Sequence, residues 1–386
     1  MRVMESLLSG SSLLLLLAGL PTAASGQCEW SALDVGVNNS VRALAVFDDG
    51  SGPALYAGGT FTMAGGVDSA RIAKWDGTQW SPLGRGLNGS VRALTVFDDG
   101  SGPALYAGGT FAIAGSVLAS RVAKWDGAQW SPLAGGTNGT VLALTGFDDG
   151  SGPALYADGD FTAAGDVAAS FVAKWDGMQW SAVAGGTNNV VHRLANFDDG
   201  SGLALYAGGA FTAAGDVPAS FIARWDGAQW SALGSGTNGS VLALTVFDDG
   251  SGPALYAGGF FSAAGGAPAS QIAKWDGARW SALGSGTSDL IWALTVFDEG
   301  SGSGLYAGGD FSAAGGVDAN RIAKWDGMRW SSLGDGTSST VRALTVFDDG
   351  SGPSLYAGGD FVTAGNVVVN RIAAWRCTAA LGAAQP

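Results

Sequence analysis

The sequence predicts an all-β, seven-bladed β-propeller with four antiparallel strands per blade. A segment of fifty residues recurs along the chain without insertion or deletion, which is typical of propellers, solenoids and arrays. Short apolar runs bounded by Gly, Asp and Asn indicate strands and turns, and no segment has the 3.6-residue period of a helix. One phenylalanine marks each of the seven copies: Phe47, Phe97, Phe147, Phe197, Phe247, Phe297 and Phe347.

The second copy shows how one repeat divides into strands. Residues 91–97 are rich in β-branched side chains and end at an Asp-Asp-Gly-Ser-Gly turn, so they form the innermost strand. Residues 104–107 form the second strand, which a pair of glycines ends. Residues 120–125 form the third, followed by the hairpin signal Asp-Gly, and residues 129–133 form the fourth. Four antiparallel strands make one propeller blade.

The two ends of the repeat region are incomplete in complementary ways. Residues 29–33 match a fourth strand, yet no first three strands precede them. The last copy, residues 341–376, has three strands and no fourth. We therefore predict that the N-terminal strand completes the last blade, which closes the ring and removes the exposed strand edges.

The chain has two cysteines, one at each end of this predicted closure. Cys377 follows Trp375 by two residues, where other repeats have the Gly of their hairpin turn, and Cys28 precedes Trp30 by two. In an intact blade these two positions are consecutive. A disulfide across the cut is therefore expected, in preference to two free reactive thiols. In the chain-entropy model, closing so long a loop contributes about 5 kcal/mol.

The N-terminus has the features of a secretory signal peptide. A basic start, a short apolar run at residues 13–17 and small residues at 23–26 follow one another. The apolar run is too short to span a bilayer. We assign residues 1–26 to a signal peptide, 27–377 to the propeller and 378–386 to a short C-terminal tail, and we expect a secreted, periplasmic or cell-surface protein.

Composition excludes two classes of partner. The chain carries 19 basic and 33 acidic residues, a net charge of −14. Nucleic acid requires a basic footprint, and anionic lipid requires a basic surface, so neither is expected as a partner. We expect no membrane insertion and a monomer.

Candidates for catalysis and cofactor binding are few. His192 is the only histidine, so a His-based metal site cannot form. No nucleophile elbow or phosphate loop is present, and the sequence predicts a non-enzymatic protein without a cofactor. Calcium at the Asp-Asp-Gly-Ser-Gly turns remains open, although Asp side chains that cap turn amides explain the pattern as well.

Aromatic residues recur at five positions of every repeat, those of Phe47, Tyr56, Phe61, Trp75 and Trp80. They account for 35 of the 39 aromatic side chains. Large rings dominate buried area, so we predict that they form the core between blades. The alternative is that a tryptophan in each blade is a sugar platform.

The ordering of glycines and aromatics within the repeat resembles that of Kelch-like propellers. A double glycine follows Leu-Tyr-Ala (Gly58 and Gly59), Trp75 ends the third strand and Trp80 opens the fourth. The repeat also looks like those of fungal cortical cell-polarity markers and of exported bacterial repeat proteins. The resemblance spans Cys28 to Cys377 and implies an architecture. It implies no particular activity, because propellers host lectins, enzymes and scaffolds alike.

Differences between the blades indicate where a site lies. One variable position is the second residue of the innermost strand, which should ring the mouth of the central channel: Arg42, Arg92, Leu142, His192, Leu242, Trp292 and Arg342. The other begins the loop between the second and third strands: Thr60, Thr110, Asp160, Ala210, Phe260, Asp310 and Asp360. Strand direction places both sets on one face, opposite the Asp-Asp-Gly and Trp-Asp-Gly turns.

Two aromatics outside the repeat pattern, Trp292 and Phe260, occupy neighbouring blades on this face. With Arg342 and Asp310 they predict an aromatic floor with polar rims, suited to a sugar or a peptide. Arg42, Arg92 and His192 complete the candidate ligand-binding set. The alternative is neutral drift between duplicated blades.

The sequence therefore favours an exported recognition or interaction propeller that binds a carbohydrate or protein ligand on the variable face. A second hypothesis is a multivalent lectin with one sugar pocket per blade, distinguished by several ligands per ring. A third is a glycan hydrolase or lyase at the channel mouth, with Asp310 and Asp360 as its carboxylates.

Overall fold

A computed structural model describes residues 28–377, so the predicted signal peptide and C-terminal tail lie outside the described residues. Seven four-stranded antiparallel sheets follow one another as blades 1 to 7 in chain order. In the first six sheets the strands lie in sequence order from the channel outwards, and in the seventh the outermost strand comes from the N-terminus. Between residues 28 and 377, no helix is long and apolar enough to cross a membrane. The predicted propeller is confirmed.

The strands keep nearly the same bounds from blade to blade. The innermost strands are Val41–Asp48, Val91–Asp98, Thr140–Asp148, Val191–Asp198, Val241–Asp248, Ile291–Asp298 and Val341–Asp348. The second strands are Pro53–Gly59, Pro103–Gly109, Pro153–Asp160, Leu203–Gly209, Pro253–Gly259, Ser303–Gly309 and Pro353–Gly359. The third strands are Ile72–Trp75, Val122–Trp125, Val172–Trp175, Ile222–Trp225, Ile272–Trp275, Ile322–Trp325 and Ile372–Cys377. The fourth strands are Trp80–Pro82, Trp130–Pro132, Trp180–Ala182, Trp230–Ala232, Trp280–Ala282, Trp330–Ser332 and, from the N-terminus, Cys28–Ala32.

The double glycine lies within the second strand and does not end it, which corrects the predicted strand bounds. A Cβ on Gly108 would approach Cγ1 of Val141 in the next blade to 2.5 Å. The glycine is therefore required by the close contact between blades rather than by a turn.

Each loop between the second and third strands contains a short hairpin that the sequence did not predict. Its strands are Met63–Ala64 with Val67–Asp68, Ile113–Ala114 with Val117–Leu118, Ala163–Ala164 with Val167–Ala168, Ala213–Ala214 with Val217–Pro218, Ala263–Ala264 with Ala267–Pro268, Ala313–Ala314 with Val317–Asp318, and Thr363–Ala364 with Val367–Val368. A bridge such as Val37 to Ala64 ties each hairpin to the loop that precedes its blade. Two-residue strands are too short to show a periodic pattern.

The core lies between adjacent blades. Phe47 and Tyr56 of blade 1 cluster with Trp125 and Trp130 of blade 2. The Trp130 indole N–H also donates to the carbonyl of Leu83, at 3.2 Å. All 35 repeat aromatics are buried. This confirms the core prediction and leaves none of them as an exposed sugar platform.

The two ends of the described chain close the ring. Cys28–Ala32 pairs antiparallel with Ile372–Cys377, with Trp30 opposite Trp375. Cys28 and Cys377 form a disulfide across a sequence separation of 349 residues. Both predictions are confirmed, and the last blade has four strands like the other six.

Candidate ligand site at the channel mouth

The ring has two faces, and different loops form each of them. On the face that we call the turn face, the turns of neighbouring blades meet: a Cβ on Gly77 would lie 3.1 Å from Cβ of Asp349. On the opposite face, the mouth face, the loop after the second strand meets the start of the innermost strand. There the Thr60 amide donates to the Ser40 carbonyl at 2.9 Å. The two variable positions therefore share the mouth face.

The channel opens on the mouth face into a cavity of about 290 Å³. A β-bulge near the start of every innermost strand leaves one residue, such as Arg42, without a paired partner on the second strand. In blade 3, whose innermost strand begins one residue earlier, that residue is Leu142. All seven of these unpaired residues line the cavity, and Arg193 is the one further residue: Arg42, Arg92, Leu142, His192, Arg193, Leu242, Trp292 and Arg342. Below it lies a smaller cavity of about 140 Å³, which Arg193 also lines.

Trp292 and Arg342 form the most connected part of the mouth. The Trp292 indole N–H donates to Asp310 at 2.7 Å, and the Thr340 hydroxyl donates to the same carboxylate. The Arg342 guanidinium lies 5.3 Å from the Trp292 ring centroid, a cation–π contact. It is also paired with Asp360, at 2.6 Å. These contacts connect blade 6 to blade 7 on this side of the cavity.

Phe260 and Asp310 are the two predicted site residues that do not line the cavity. Asp310 is the hydrogen-bond acceptor of the Trp292 indole. The Phe260 side chain is 62% exposed. The Phe260 amide donates to Ser240 just before the innermost strand, so the residue stands on the rim, outside the channel wall. The predicted aromatic floor is therefore Trp292 without Phe260.

Arg42 and Arg92 are the least compensated charges of the mouth. Neither side chain has a hydrogen bond or an ion pair to any residue from 28 to 377, and the Nε atom of each is buried. Burial lowers the pKa of Arg42, the charges of Arg92 and Arg342 lower it further, and the nearby Asp360 charge partly opposes them. The pKa of Arg92 is lowered by burial and by Arg342.

Arg193 and Asp158 are functional candidates that the sequence interpretation missed. Asp158 is fully buried where the other second strands have Gly, and Arg193 stands where the other innermost strands have Ala. Burial raises the pKa of Asp158, which the nearby Arg193 charge opposes. The sequence did contain a signal for them, because each of these two substitutions occurs in one repeat only, and the two repeats are adjacent.

His192 lies at the mouth beside Arg193. Burial lowers its pKa, and the Arg193 charge lowers it further. The imidazole is therefore neutral at pH 7 and can donate one hydrogen bond and accept another. It adds no positive charge to the cavity at that pH.

The carboxylates of the mouth are occupied by internal partners. Asp310 accepts from Trp292 and Thr340. Burial opposes the charge of Asp360, but the hydrogen bond from Arg342 and the charges of Arg342 and Arg42 outweigh it and hold its pKa below the usual range. An ionised, paired carboxylate cannot serve as a general acid.

On the turn face, aspartate side chains cap the turns that follow the innermost strands. Asp48 accepts hydrogen bonds from the amides of Gly50 and Gly52, at 2.8 and 3.0 Å, which is the capping role expected of it. Within the described chain, the one His/Cys/Asp/Glu group with metal-like spacing is Cys28, Glu299 and Cys377. Its two sulfurs form the disulfide and are not thiolate ligands.

A family model described as the Rax2 C-terminal beta propeller domain matches residues 19–189 and, separately, residues 181–354. The two stretches overlap and together span most of the chain. No curated protein matches this sequence.

Proposed function

We propose that this chain, which belongs to the family of Rax2 C-terminal beta propeller domains, is an exported, non-enzymatic recognition module. Its ligand is a carbohydrate or a protein, and it binds at the channel mouth. The disulfide at the ring closure supports an oxidising compartment, because such bonds persist outside the cytosol.

One observation carries the proposal. Seven blades share one backbone and one core, yet the residues that line the mouth include Arg, Leu, His and Trp. Purely structural positions keep their residue from blade to blade, as the buried Tyr56 position does. A concave, pre-formed cavity with few convergent polar groups is the usual form of a ligand site.

The structural details favour binding over catalysis. Asp310 and Asp360 are held by internal partners, and Asp360 remains ionised. His192 is neutral and has no carboxylate partner among the described residues. A hydrolase would need one carboxyl group free to donate a proton.

The test is a glycan and peptide array probed with the mature protein and two variants. Trp292→Ala removes the one aromatic ring of the cavity, and we expect it to abolish binding. Phe260→Ala is the matched control, because it removes an aromatic of the same face that lies outside the cavity. We expect its binding to be unchanged. Unchanged binding by a folded Trp292→Ala variant would contradict the proposal.

Stoichiometry separates this proposal from the multivalent lectin. A unique mouth site binds one ligand per ring, whereas a pocket in each blade would bind up to seven. Analytical ultracentrifugation of the bound protein with a labelled array hit gives the ratio, and several ligands per ring would favour the lectin.

A further inference from the structure

The channel mouth holds positive charge that the protein does not neutralise. Arg342, Arg42 and Arg92 stand on three consecutive blades, and Arg193 enters from blade 4. Arg342 is paired with Asp360, and Arg193 has the buried Asp158 nearby. Arg42 and Arg92 have no hydrogen-bonding partner in the described part of the chain. Two guanidinium groups are thus left free inside one cavity.

This arrangement is unfavourable for the protein alone. Each guanidinium loses hydration through burial, and like charges stand beside it, which is why the pKa values of Arg42 and Arg92 are lowered. The whole chain has a net charge of −14, so acidic residues are plentiful elsewhere. Arg42 and Arg92 are partly buried, and unpaired charges in a cavity are kept where they have a role in binding, because they otherwise cost stability.

We infer that the mouth binds the oxyanion of an acidic sugar, a carboxylate or a sulfate ester, between Arg42 and Arg92. This inference rests on the proposed function and names its ligand class. Guanidinium groups present planar forks of N–H donors that match the two oxygens of such an anion. The anion supplies the charge and the hydrogen-bond acceptors that the Nε atoms of both arginines lack.

The opposite side of the cavity fits the ring of a sugar. Leu142, the neutral His192, Leu242 and Trp292 line it, on blades 3 to 6. The Trp292 N–H is already donated to Asp310 and Arg342 lies over the ring, so the indole offers the apolar surface that Arg342 leaves uncovered. Arg193 closes the bottom, and a cup of about 290 Å³ accepts a single ring with its charged group rather than an extended chain. A charged side facing an apolar side matches a pyranose that carries one anionic substituent.

Calorimetric titration with D-glucuronate, glucose 6-sulfate and the neutral methyl glucoside tests the inference. We expect the two anions to bind, their affinity to fall as ionic strength rises, and the neutral sugar not to bind. Arg92→Gln should weaken the binding of both anions at least tenfold, because it removes a charge-assisted contact. Arg85→Gln is the control, since Arg85 is exposed outside the cavity, and its binding should equal that of the unmodified protein.

Thermal unfolding separates loss of the site from loss of the fold. Arg92→Gln removes repulsion between neighbouring guanidiniums, so without ligand it should unfold at the same temperature as the unmodified protein or higher. Glucuronate should raise the unfolding temperature of the unmodified protein but not of this variant.

Several results would overturn the inference. If methyl glucoside binds as tightly as the anions, and Arg92→Gln leaves its binding unchanged while Trp292→Ala abolishes it, the requirement for an anionic group is refuted and the proposed function stands. If inorganic sulfate binds as tightly as glucuronate, or a glutamate-rich peptide binds more tightly through Arg92, the requirement for a sugar is refuted. If no probe binds and no ligand on the glycan and peptide array binds, both the inference and the proposed function are refuted.

Discussion

The turn face and the mouth face share one backbone but treat charge in opposite ways. On the turn face, each blade places a carboxylate between a tyrosine hydroxyl and a cation, which we call the turn cluster. In blade 3, Asp149 accepts from Tyr156 at 2.7 Å and from Lys174 at 2.7 Å. On the mouth face, Arg42 and Arg92 have no such partner within residues 28–377. The turn face therefore pairs its charged side chains, while the mouth face leaves Arg42 and Arg92 unpaired.

Departures from the repeat are compensated on the turn face. Arg224 replaces the lysine of blade 4 and still contacts its carboxylate, and Glu299 replaces the aspartate of blade 6 and still accepts from Lys324. In blade 7, Ala374 stands at the lysine position, and Arg376 supplies the cation to Asp349. The mouth face shows no equivalent compensation at Arg42 and Arg92. This difference separates positions that maintain the fold from positions that are free to specialise.

Acid should have the largest effect on this comparison, because it acts on all seven turn clusters together. Burial opposes the charge of Asp49, but hydrogen bonds from Lys74, Ser51 and Tyr56 outweigh it and lower its pKa. The other six carboxylates are lowered as well. A depressed folded-state pKa contributes stability above the unfolded value, about 4, and loses it as the pH falls further. Urea unfolding from neutral to acid pH should show this decline begin near pH 4.

On the mouth face, the titration of His192 should cause a separate and smaller loss of stability in the same experiment. His192 has a lowered pKa in the folded state, so its contribution is lost earlier, as the pH falls below about 6.5. His192→Gln should remove that small step and leave the decline below pH 4 intact. A variant that also abolished the acid decline would show that the turn clusters do not cause it.

The next largest effect should come from the disulfide at the ring closure. Replacing Cys28 and Cys377 together by Ser is expected to lower the free energy of unfolding by about 5 kcal/mol at most, because the unfolded chain regains its loop entropy. Urea unfolding measures the loss. A reductant should reproduce it in the unmodified protein and have no effect on the double variant.

Ligand binding at the mouth should survive this change in the folded variant. The disulfide lies on the turn face, where a Glu299 carboxylate oxygen and both sulfurs lie within 4.8 Å of one another. Loss of binding with the ring still closed would show that the two faces are coupled.

A single turn cluster should have a smaller effect. Lys174→Met leaves Asp149 without its cation, where both side chains are mostly buried, and should cost about 2 kcal/mol in the free energy of unfolding. Arg279→Ala is the matched control, because Arg279 is 82% exposed in its pair with Asp276 and such pairs contribute about 0.5 kcal/mol. Equal losses in the two variants would contradict the structural role of the cluster.

The residues of the candidate site could be predicted only in part from the sequence. The ring of residues at the mouth was predicted because position along a strand decides which residues face the channel. Phe260 was misplaced because the sequence does not tell whether a loop residue points inwards or to the rim. Arg193 and Asp158 were not predicted because each stands at a position that is constant in the other six blades, next to the variable positions from which the site was predicted.

The sequence by itself determined the blades, the closing strand and the disulfide, because a strict period and the local strand and turn chemistry repeat seven times. Only the tertiary structure decided which side chains find partners. Trp292 pairs with Asp310, Arg376 replaces a missing lysine, and Arg42 and Arg92 stay free. Those outcomes depend on distances between blades, where residues far apart in the chain approach within a few ångströms, and no local pattern encodes such distances.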